Sequence, residues 1–274
     1  MEQLYKIVDE IKSMRIQGAE EVAIAAIHAW ENARDKALAE RLLAKARPTE
    51  PMLRNVLLYL RKFGEAEKIL KIIEDGNRRI AEYGSRKLAG KNLIYTHCHS
   101  LTVENVLKKV FKTNKRLVVN VTETRPRLQG RITAANLARA GIKVNMFVDS
   151  AALQAIRDAD AMIIGADAIT TYGTIINKIG SNLFAKIAFD EEVPVYVATH
   201  TLKYDPKTLL GYNERIEKRS AGEVWNTKMH NINVVNYIFE EVSSDYIAAV
   251  ITEMGVVKPD VIVEMIESKY KWLA

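Results

Sequence analysis

The chain is poor in cysteine, proline and aromatic residues and has no long hydrophobic run. A single cysteine among 274 residues cannot form an internal disulfide, so Cys98 is expected either to react or to pack. This cysteine usage predicts a reducing, cytoplasmic location. No apolar stretch approaches the length of a membrane span, and the N-terminal segment mixes acidic and basic side chains instead of forming the apolar core of a signal peptide.

Runs of like charge are also absent, although the net charge is +6 and the isoelectric point is about 9.2. Because there is no zinc-finger spacing and no aromatic RNA-binding motif, direct nucleic-acid binding is not expected. Neither Gly-x-Gly-x-x-Gly nor Gly-x-x-x-x-Gly-Lys-Ser/Thr occurs, which argues against a dinucleotide-linked oxidoreductase. The sequence predicts no cofactor and favours a slightly basic protein that binds phosphorylated small molecules.

The periodicity of apolar residues changes near Lys87. Before this point they recur at helical spacing, and no alternating strand pattern is present. Breaks in the helical pattern are expected at Gly18, Pro48, Pro51, Gly64 and Gly84. The sequence therefore predicts an N-terminal helical domain over residues 1–86 and an α/β domain over residues 87–274.

In the second region, short apolar runs alternate with longer helical patterns. Strands are predicted at Asn92–His97, Leu117–Thr122, Val144–Asp149, Ala161–Gly165 and Val193–Thr199, with a weaker one at Ile232–Tyr237. Helices are predicted at Thr102–Lys112, Arg131–Ala140, Ala151–Ala159 and Asn182–Glu191, with a closing helix at Pro259–Tyr270. This alternation is typical of a Rossmann-like parallel sheet with helices on both faces, so the predicted fold class is α/β.

Polar residues follow the predicted strands, at the sheet edge where open parallel sheets bind ligands. Cys98 precedes a predicted helix, whose free N–H groups would stabilise a thiolate; the alternative is a buried structural cysteine. Asp167 follows an apolar strand, where partial burial favours a carboxyl that can donate a proton; the alternative is a helix cap. Both residues are candidates for catalysis.

Two further segments bear on ligand binding. Asn177 to Ser181 places a lysine, a glycine and a serine before a helix, which predicts binding of an anion by side chain and backbone together. His97, Cys98 and His99 stand in a row, but in an extended chain the two imidazoles and the thiol point to opposite faces. No metal site is therefore predicted.

These segments together resemble one family, which contains methylthioribose-1-phosphate isomerase, archaeal ribose-1,5-bisphosphate isomerase and the α/β/δ regulatory subunits of translation initiation factor 2B. The resemblance is carried by Thr96-His97-Cys98-His99-Ser100, Glu123-Thr124-Arg125-Pro126 with Gln129-Gly130, Gly165-Ala166-Asp167 and Asn177-Lys178-Ile179-Gly180. Four ordered motifs are a far more specific signal than any one of them. The chain looks most like a short archaeal initiation factor 2B-like member.

The resemblance implies that Cys98 and Asp167 are a catalytic pair in an aldose–ketose isomerase acting on a ribose 1-phosphate-type sugar. Asp167 would donate a proton to open the ring, and Cys98 would accept a proton from C2. The resemblance and its motifs place the phosphate and sugar contacts on Gly18, Ala19, Arg47, Ser100, Arg125, Gln129, Asn177, Lys178 and Lys203.

One segment departs from the isomerase pattern. Isomerases of the family carry Arg-Gly-Ala-Gly or Arg-Gly-Ala-Pro where this chain has Gln17-Gly18-Ala19-Glu20. A carboxylate about 4 Å from a bound phosphate would cost on the order of 4 kcal/mol at an effective dielectric near 20. Either Glu20 points away from the ligand, or the ligand is not the familiar one.

This departure leaves a second class of function open. A regulatory subunit like those of initiation factor 2B would act by binding initiation factor 2, and its cavity would sense a sugar phosphate or a nucleotide. The retained pair of Cys98 and Asp167 favours the enzyme. The resemblance implies a homodimer or a higher homo-oligomer in either case, with apolar support from Trp225, Tyr237, Ile238 and Phe239.

Overall fold

A computed structural model describes residues 2–16, 18–210 and 219–273 of the chain. The N-terminal part consists of helices α1 to α5, at Glu2–Lys12, Ala19–Glu31, Lys36–Ala46, Pro51–Phe63 and Ala66–Lys87. Pro51 begins α4, where its missing N–H costs nothing, and Gly64 ends it with a φ of 71°. The predicted boundary between residues 86 and 87 falls at the end of α5, and the division into two domains stays a prediction.

The rest of the chain alternates strands and helices. Its strands β1 to β11 lie at Leu93–Thr96, Val118–Thr122, Lys143–Phe147, Ala161–Ile164, Ala168–Thr170, Ile175–Lys178, Val195–Ala198, Tyr204–Asp205, Phe239–Val242, Ile247–Thr252 and Gly255–Val257. Its helices α6 to α10 lie at Leu101–Thr113, Gln129–Arg139, Ala152–Ile156, Ser181–Asp190 and Ile262–Lys269. Strands β1, β2, β4 and β7 lie within their predicted segments and β3 begins one residue before its segment, whereas β10 and β11 were not predicted.

Seven of the described strands form one sheet in the order β11-β10-β7-β4-β1-β2-β3. All neighbours pair in parallel except β10 and β11. Side chains that alternate along the strands enter two different cores: Ile163 and Val121 pack with α6 and α7, whereas Met162 and Ile164 pack with α8 and α9. The predicted α/β class with a buried parallel sheet is therefore confirmed.

The second sheet was missed by the sequence analysis. It has the order β8-β5-β6-β9 and contains one parallel pair and two antiparallel pairs. Its strands are two to four residues long, so their patterns are too short to separate from loops. This sheet matters because β6 carries Asn177 and Lys178.

Two predictions about local structure were wrong. The strand expected at Ile232–Tyr237 does not form: its apolar side chains are largely exposed, and Asn236 instead donates to the Ser220 carbonyl, while strand structure begins at Phe239. Gly84 does not end a helix, because α5 continues to Lys87. A Cβ at Gly84 would lie 2.7 Å from Val106, so this glycine permits close packing of α5 on α6.

The helical part is fixed to the sheet by buried polar contacts. The Asn55 side chain in α4 donates to the carbonyls of Leu202 and Tyr204, at 2.8 and 2.7 Å. These carbonyls flank Lys203, in the segment that follows β7. Satisfying two buried carbonyls fixes this segment in place, so α4 sets the position of Lys203.

Candidate active site

A cavity of about 130 Å³ opens at the carboxyl ends of β1 and β4, roughly ten times the space that one water requires. Cys98 and Asp167 both line it, as the strand-end rule predicts. Of the other predicted residues, the lining includes Gly18, Ala19, Arg47, Ser100, Gln129, Asn177, Lys178 and Lys203. The structure thus brings together parts of the helical region, the large sheet and the small sheet.

Arg125 is the predicted site residue that does not line this cavity. Its backbone N–H donates to Asp149, and its guanidinium donates to the carbonyls of Pro126 and Val224. Asp149 also accepts the N–H of Thr124, so its carboxylate shapes the loop after β2 instead of facing a ligand. Arg125 thus contacts the loop around Asp149 and Val224, and its role as a ligand contact stays a prediction.

The prediction of no metal site assumed an extended backbone from His97 to His99. The backbone at Cys98 is not extended. Its φ is 66°, a left-handed value that is uncommon for a residue other than glycine. Hydrogen bonds from side-chain hydroxyls hold it there: Thr124 accepts the Cys98 N–H at 3.0 Å, and Thr133 donates to its carbonyl at 2.9 Å. A left-handed backbone that is held in place by hydrogen bonds on both sides is typical of functional positions.

The two neighbouring imidazoles are both engaged by the protein. His97 contacts the Thr122 hydroxyl and the Ile179 carbonyl at 2.9 and 3.1 Å, and its burial lowers its pKa to about 4. His99 lies 3.1 Å from the Thr133 hydroxyl and 3.0 Å from the Glu104 carboxylate. Within residues 2–16, 18–210 and 219–273, no group of three or more His, Cys, Asp or Glu side chains is arranged to hold a metal ion.

The thiol of Cys98 is not activated in the way the sequence analysis expected. Burial, and after it the charge of Asp167, raise its pKa to about 12. The N–H of His99 and the charge of Lys178 act in the opposite direction. The helix α6 begins only at Leu101, so its N-terminus does not outweigh desolvation, and the thiolate depends on the charges around it.

Asp167 reaches the cavity from the junction of the two sheets. It follows β4 and precedes β5, and its N–H donates to the Ile176 carbonyl of β6 at 2.8 Å. Gly165 lies between β4 and Asp167, and a Cβ there would be 2.7 Å from the Ser100 hydroxyl. Glycine at this position therefore lets the β4 end approach the N-terminus of α6.

Buried cationic side chains line the same cavity. Lys178 is 3% exposed, and its charge interacts with Cys98 and Asp167. Lys203 is 9% exposed and donates to the Ala166 carbonyl at 2.6 Å. Arg47 follows α3 and lies 3.6 Å from the buried carboxyl of Glu50. Cations in a partly desolvated space attract a phosphate more strongly than they would on the surface.

The segment that departs from the isomerase pattern also lies here. Glu20 lines the cavity, and its carboxylate accepts a hydrogen bond from Asn77 at 2.6 Å. Burial raises the pKa of Glu20, whereas the charge of Lys203 lowers it. Gln17 lies outside the described residues. Glu20 is thus bound to α5 and interacts with a cation, which reduces its repulsion toward an anion in the cavity.

Several lining residues were missed by the sequence analysis. They include Met14, Glu21, Arg127, Arg219 and Glu223. Glu223 lies 3.0 Å from Arg219 and 3.5 Å from Arg127, so one carboxylate joins two arginines at the cavity. Arg127 lies between Arg125 and Gln129, in one of the four family motifs, so the motif could have identified it as a lining residue. Arg219 and Glu223 follow no predicted strand, and the sequence gives no signal for them.

A family model described as the initiation factor 2 subunit family matches residues 3–259. The chain belongs to this family. The resemblance drawn from the motifs is thereby confirmed. The chain is 34% identical to ribose 1,5-bisphosphate isomerase of Pyrococcus furiosus, and the similarity covers 98% of this chain and 95% of that protein.

Two further similarities are informative. Methylthioribose-1-phosphate isomerase of Thermosipho melanesiensis is 31% identical, over 91% of this chain and 85% of the relative. The crystal structure of translation initiation factor eIF-2B from Pyrococcus horikoshii OT3 has a TM-score of 0.83 at 27% identity, covering 94% of this chain and 98% of that one. Because similar curated proteins are isomerases along nearly their whole length, this family member is an enzyme of the isomerase class.

Among the described residues, no helix is long and apolar enough to cross a membrane.

Proposed function

We propose that the protein is an aldose–ketose isomerase of ribose 1-phosphate-type sugars, with Asp167 as the acid and Cys98 as the base. One observation carries the proposal: the thiol and the carboxyl line a single cavity together with buried cations. The named substrates of the two isomerase relatives, ribose 1,5-bisphosphate and methylthioribose 1-phosphate, share a ribose phosphorylated at C1.

A sugar phosphorylated at C1 has no free aldehyde, so its ring must open before isomerisation. Asp167 donates its proton to the ring oxygen as the bond from C1 to that oxygen breaks. Cys98 removes the proton from C2 and returns it to C1. The O2 hydroxyl then gives its proton to Asp167 as the C2 carbonyl forms, so both side chains end in their starting states.

The charges in the cavity fit this order of events. Burial and the charge of Asp167 raise the pKa of the Cys98 thiol, so an ionised Asp167 opposes formation of the thiolate. A proton on Asp167 removes that opposition, while Lys178 stabilises the thiolate. The active form therefore combines a protonated Asp167 with an ionised Cys98, as each role requires.

We propose that Arg47, Lys178 and Lys203 hold the phosphate, with Gly18, Ala19, Ser100, Gln129 and Asn177 contacting phosphate or sugar. Arg47 can engage two phosphate oxygens at once, and the lysines act as point charges. Lys178 has a further role, since its charge also reaches Cys98 and Asp167. A phosphate bound beside it would thus place C1 and C2 near the reacting side chains.

The proposal is tested by incubating the purified chain with ribose 1-phosphate, ribose 1,5-bisphosphate and 5-methylthioribose 1-phosphate and following ketose formation by NMR. Cys98→Ser and Asp167→Asn are each expected to lower kcat at least a hundredfold. Asp190→Asn, an exposed position in α9, is the matched control and keeps full activity. Absence of ketose from all three sugars, or near-normal turnover by Cys98→Ser, refutes the proposal.

A regulatory role remains a second candidate because of the similarity to the eIF-2B structure. In that case the chain would bind initiation factor 2, and the cavity would sense a sugar phosphate or a nucleotide. Capture of purified initiation factor 2 by a chain that turns over none of the three sugars favours this function. Turnover without capture favours the isomerase.

We further propose that two copies of the chain associate through the segment 224–237. Its exposed apolar side chains include Trp225 at 52%, Met229 at 64% and Tyr237 at 43%. Ile238 and Phe239, also expected at this contact, instead line the cavity. Sedimentation at micromolar concentration should give a dimer or larger oligomer, and Met229→Ser should weaken it; a monomeric wild type contradicts the proposal.

A further inference from the structure

Glu50 is a buried carboxyl that the proposed reaction does not use. It directly precedes Pro51, the first residue of α4, and only 3% of its surface is exposed. Although it occupies the N-cap position, its side chain accepts no hydrogen bond from the helix. Its Oε1 atom is buried without a hydrogen-bond partner. Such an atom is rare in proteins because the lost hydration is not replaced.

A second, smaller cavity relates Glu50 to the proposed acid. Glu50 and Asp167 both line it, together with Arg47 and Phe239, which line the larger cavity as well. Its volume is about 10 Å³, close to the space that one water requires. Glu50 and Asp167 therefore border one small cavity with room for about one water.

Charged groups of both signs surround this pair. Glu50 interacts with the cations of Arg47, Lys203 and Arg54 and with the like charge of Asp167. Asp167 also interacts with Cys98 and Lys178. The pKa of Glu50 is raised to about 7, mainly by burial and in part by the charge of Asp167. Because repulsion between two charges is mutual, Glu50 also opposes the ionisation of Asp167.

We propose that Glu50 is a positioning residue that keeps a proton on Asp167, through the small cavity that the two carboxyls share. This inference rests on the proposed function, in which Asp167 must carry a proton to open the sugar ring. Two carboxyls in one desolvated space titrate as a coupled pair, and one of them stays protonated to a higher pH than it would alone. Arg47 lies 3.6 Å from Glu50 and balances part of its charge, so the pair can be buried.

The direct test follows the titration of Asp167 by carboxyl-detected carbon-13 NMR, with its signal assigned through Asp167→Asn. Glu50→Gln keeps the shape and polarity of the side chain but removes its charge. The titration midpoint of Asp167 is expected to fall by about one pH unit in this variant. Glu50→Asp retains the charge and is expected to keep most of the effect. An unchanged midpoint in Glu50→Gln overturns the proposal.

A second measurement separates this inference from the proposed function. If the wild type is active, the acidic limb of its kcat/KM profile should move to lower pH by the same amount in Glu50→Gln, because Cys98 has the higher pKa and the acidic limb therefore reports Asp167. A merely structural role would lower the rate at every pH without moving the limb, and that result also overturns the proposal. If the wild type turns over no sugar, the proposed function fails, while the NMR titration still decides whether Glu50 controls Asp167.

Discussion

Cys98 and Asp167 line the same cavity, and the charge of Asp167 raises the pKa of the Cys98 thiol. The two residues are 69 positions apart in the chain and come from the ends of β1 and β4, which are adjacent in the sheet. The thiol and the carboxyl therefore control each other's ionisation.

Cys98 should react slowly with iodoacetamide at neutral pH, because only the thiolate is nucleophilic and its pKa is raised to about 12. Asp167→Asn removes a charge that raises this pKa, so alkylation should become about tenfold faster. Lys178→Gln removes a charge that lowers it and should slow alkylation. Mass spectrometry measures the rates, with unfolded protein as the reference, and equal rates in both variants would contradict the electrostatic account.

Glu50 should make the folded state less stable as the pH rises. Its pKa is raised from 4.5 to about 7 on folding, so the folded state binds more protons between these values and stability falls from pH 4.5 to 7. At pH 8, Glu50→Gln should therefore gain up to about 3 kcal/mol in unfolding free energy relative to its effect at pH 4. Urea titrations at the two pH values measure this, and the exposed Glu67→Gln serves as the control.

Arg47 and Arg125 should differ in their effect on substrate binding. Arg47 lines the cavity, whereas the Arg125 guanidinium donates to loop carbonyls. A charge-assisted contact contributes about 1.5–3 kcal/mol, so Arg47→Ala should raise KM by roughly ten- to a hundredfold. Arg125→Ala should change it less than threefold. Steady-state kinetics with the sugar that the wild type converts decides this, and the reverse order would make Arg125, and not Arg47, the ligand contact.

Gly84→Ala should destabilise the protein, although the same change stabilises most helices. Alanine has the higher helix propensity by about 1 kcal/mol, but its Cβ would lie 2.7 Å from Val106 in α6. Overpacking of this kind costs about 1–3 kcal/mol. Chemical denaturation should show a lower free energy of unfolding for Gly84→Ala than for the wild type. When the same change is made in a Val106→Ala background, the free energy of unfolding should not fall relative to Val106→Ala alone. Purely additive effects would show that the two residues do not contact each other.

The sequence predicted five of the seven strands of the large sheet, because most of these strands are buried and carry continuous apolar runs, but it did not predict β10 and β11. Cys98 and Asp167 followed from the rule that ligands bind at the carboxyl ends of such strands. The four strands of the small sheet were missed because two to four residues do not establish a period. The exposed alternation at Ile232–Tyr237 was mistaken for a strand because a pattern does not show whether a core exists to receive it.

The amino-acid sequence by itself determined the fold class, the family and ten of the residues that line the cavity, since periodicity and motif order are properties of the chain. Tertiary structure alone decided how those residues ionise and which cations they meet. Desolvation of Cys98 and Glu50 depends on what packs around them, and Arg125 contacts Asp149 and Val224 but does not line the cavity. Burial and distance set electrostatic energies, and neither can be read along a sequence.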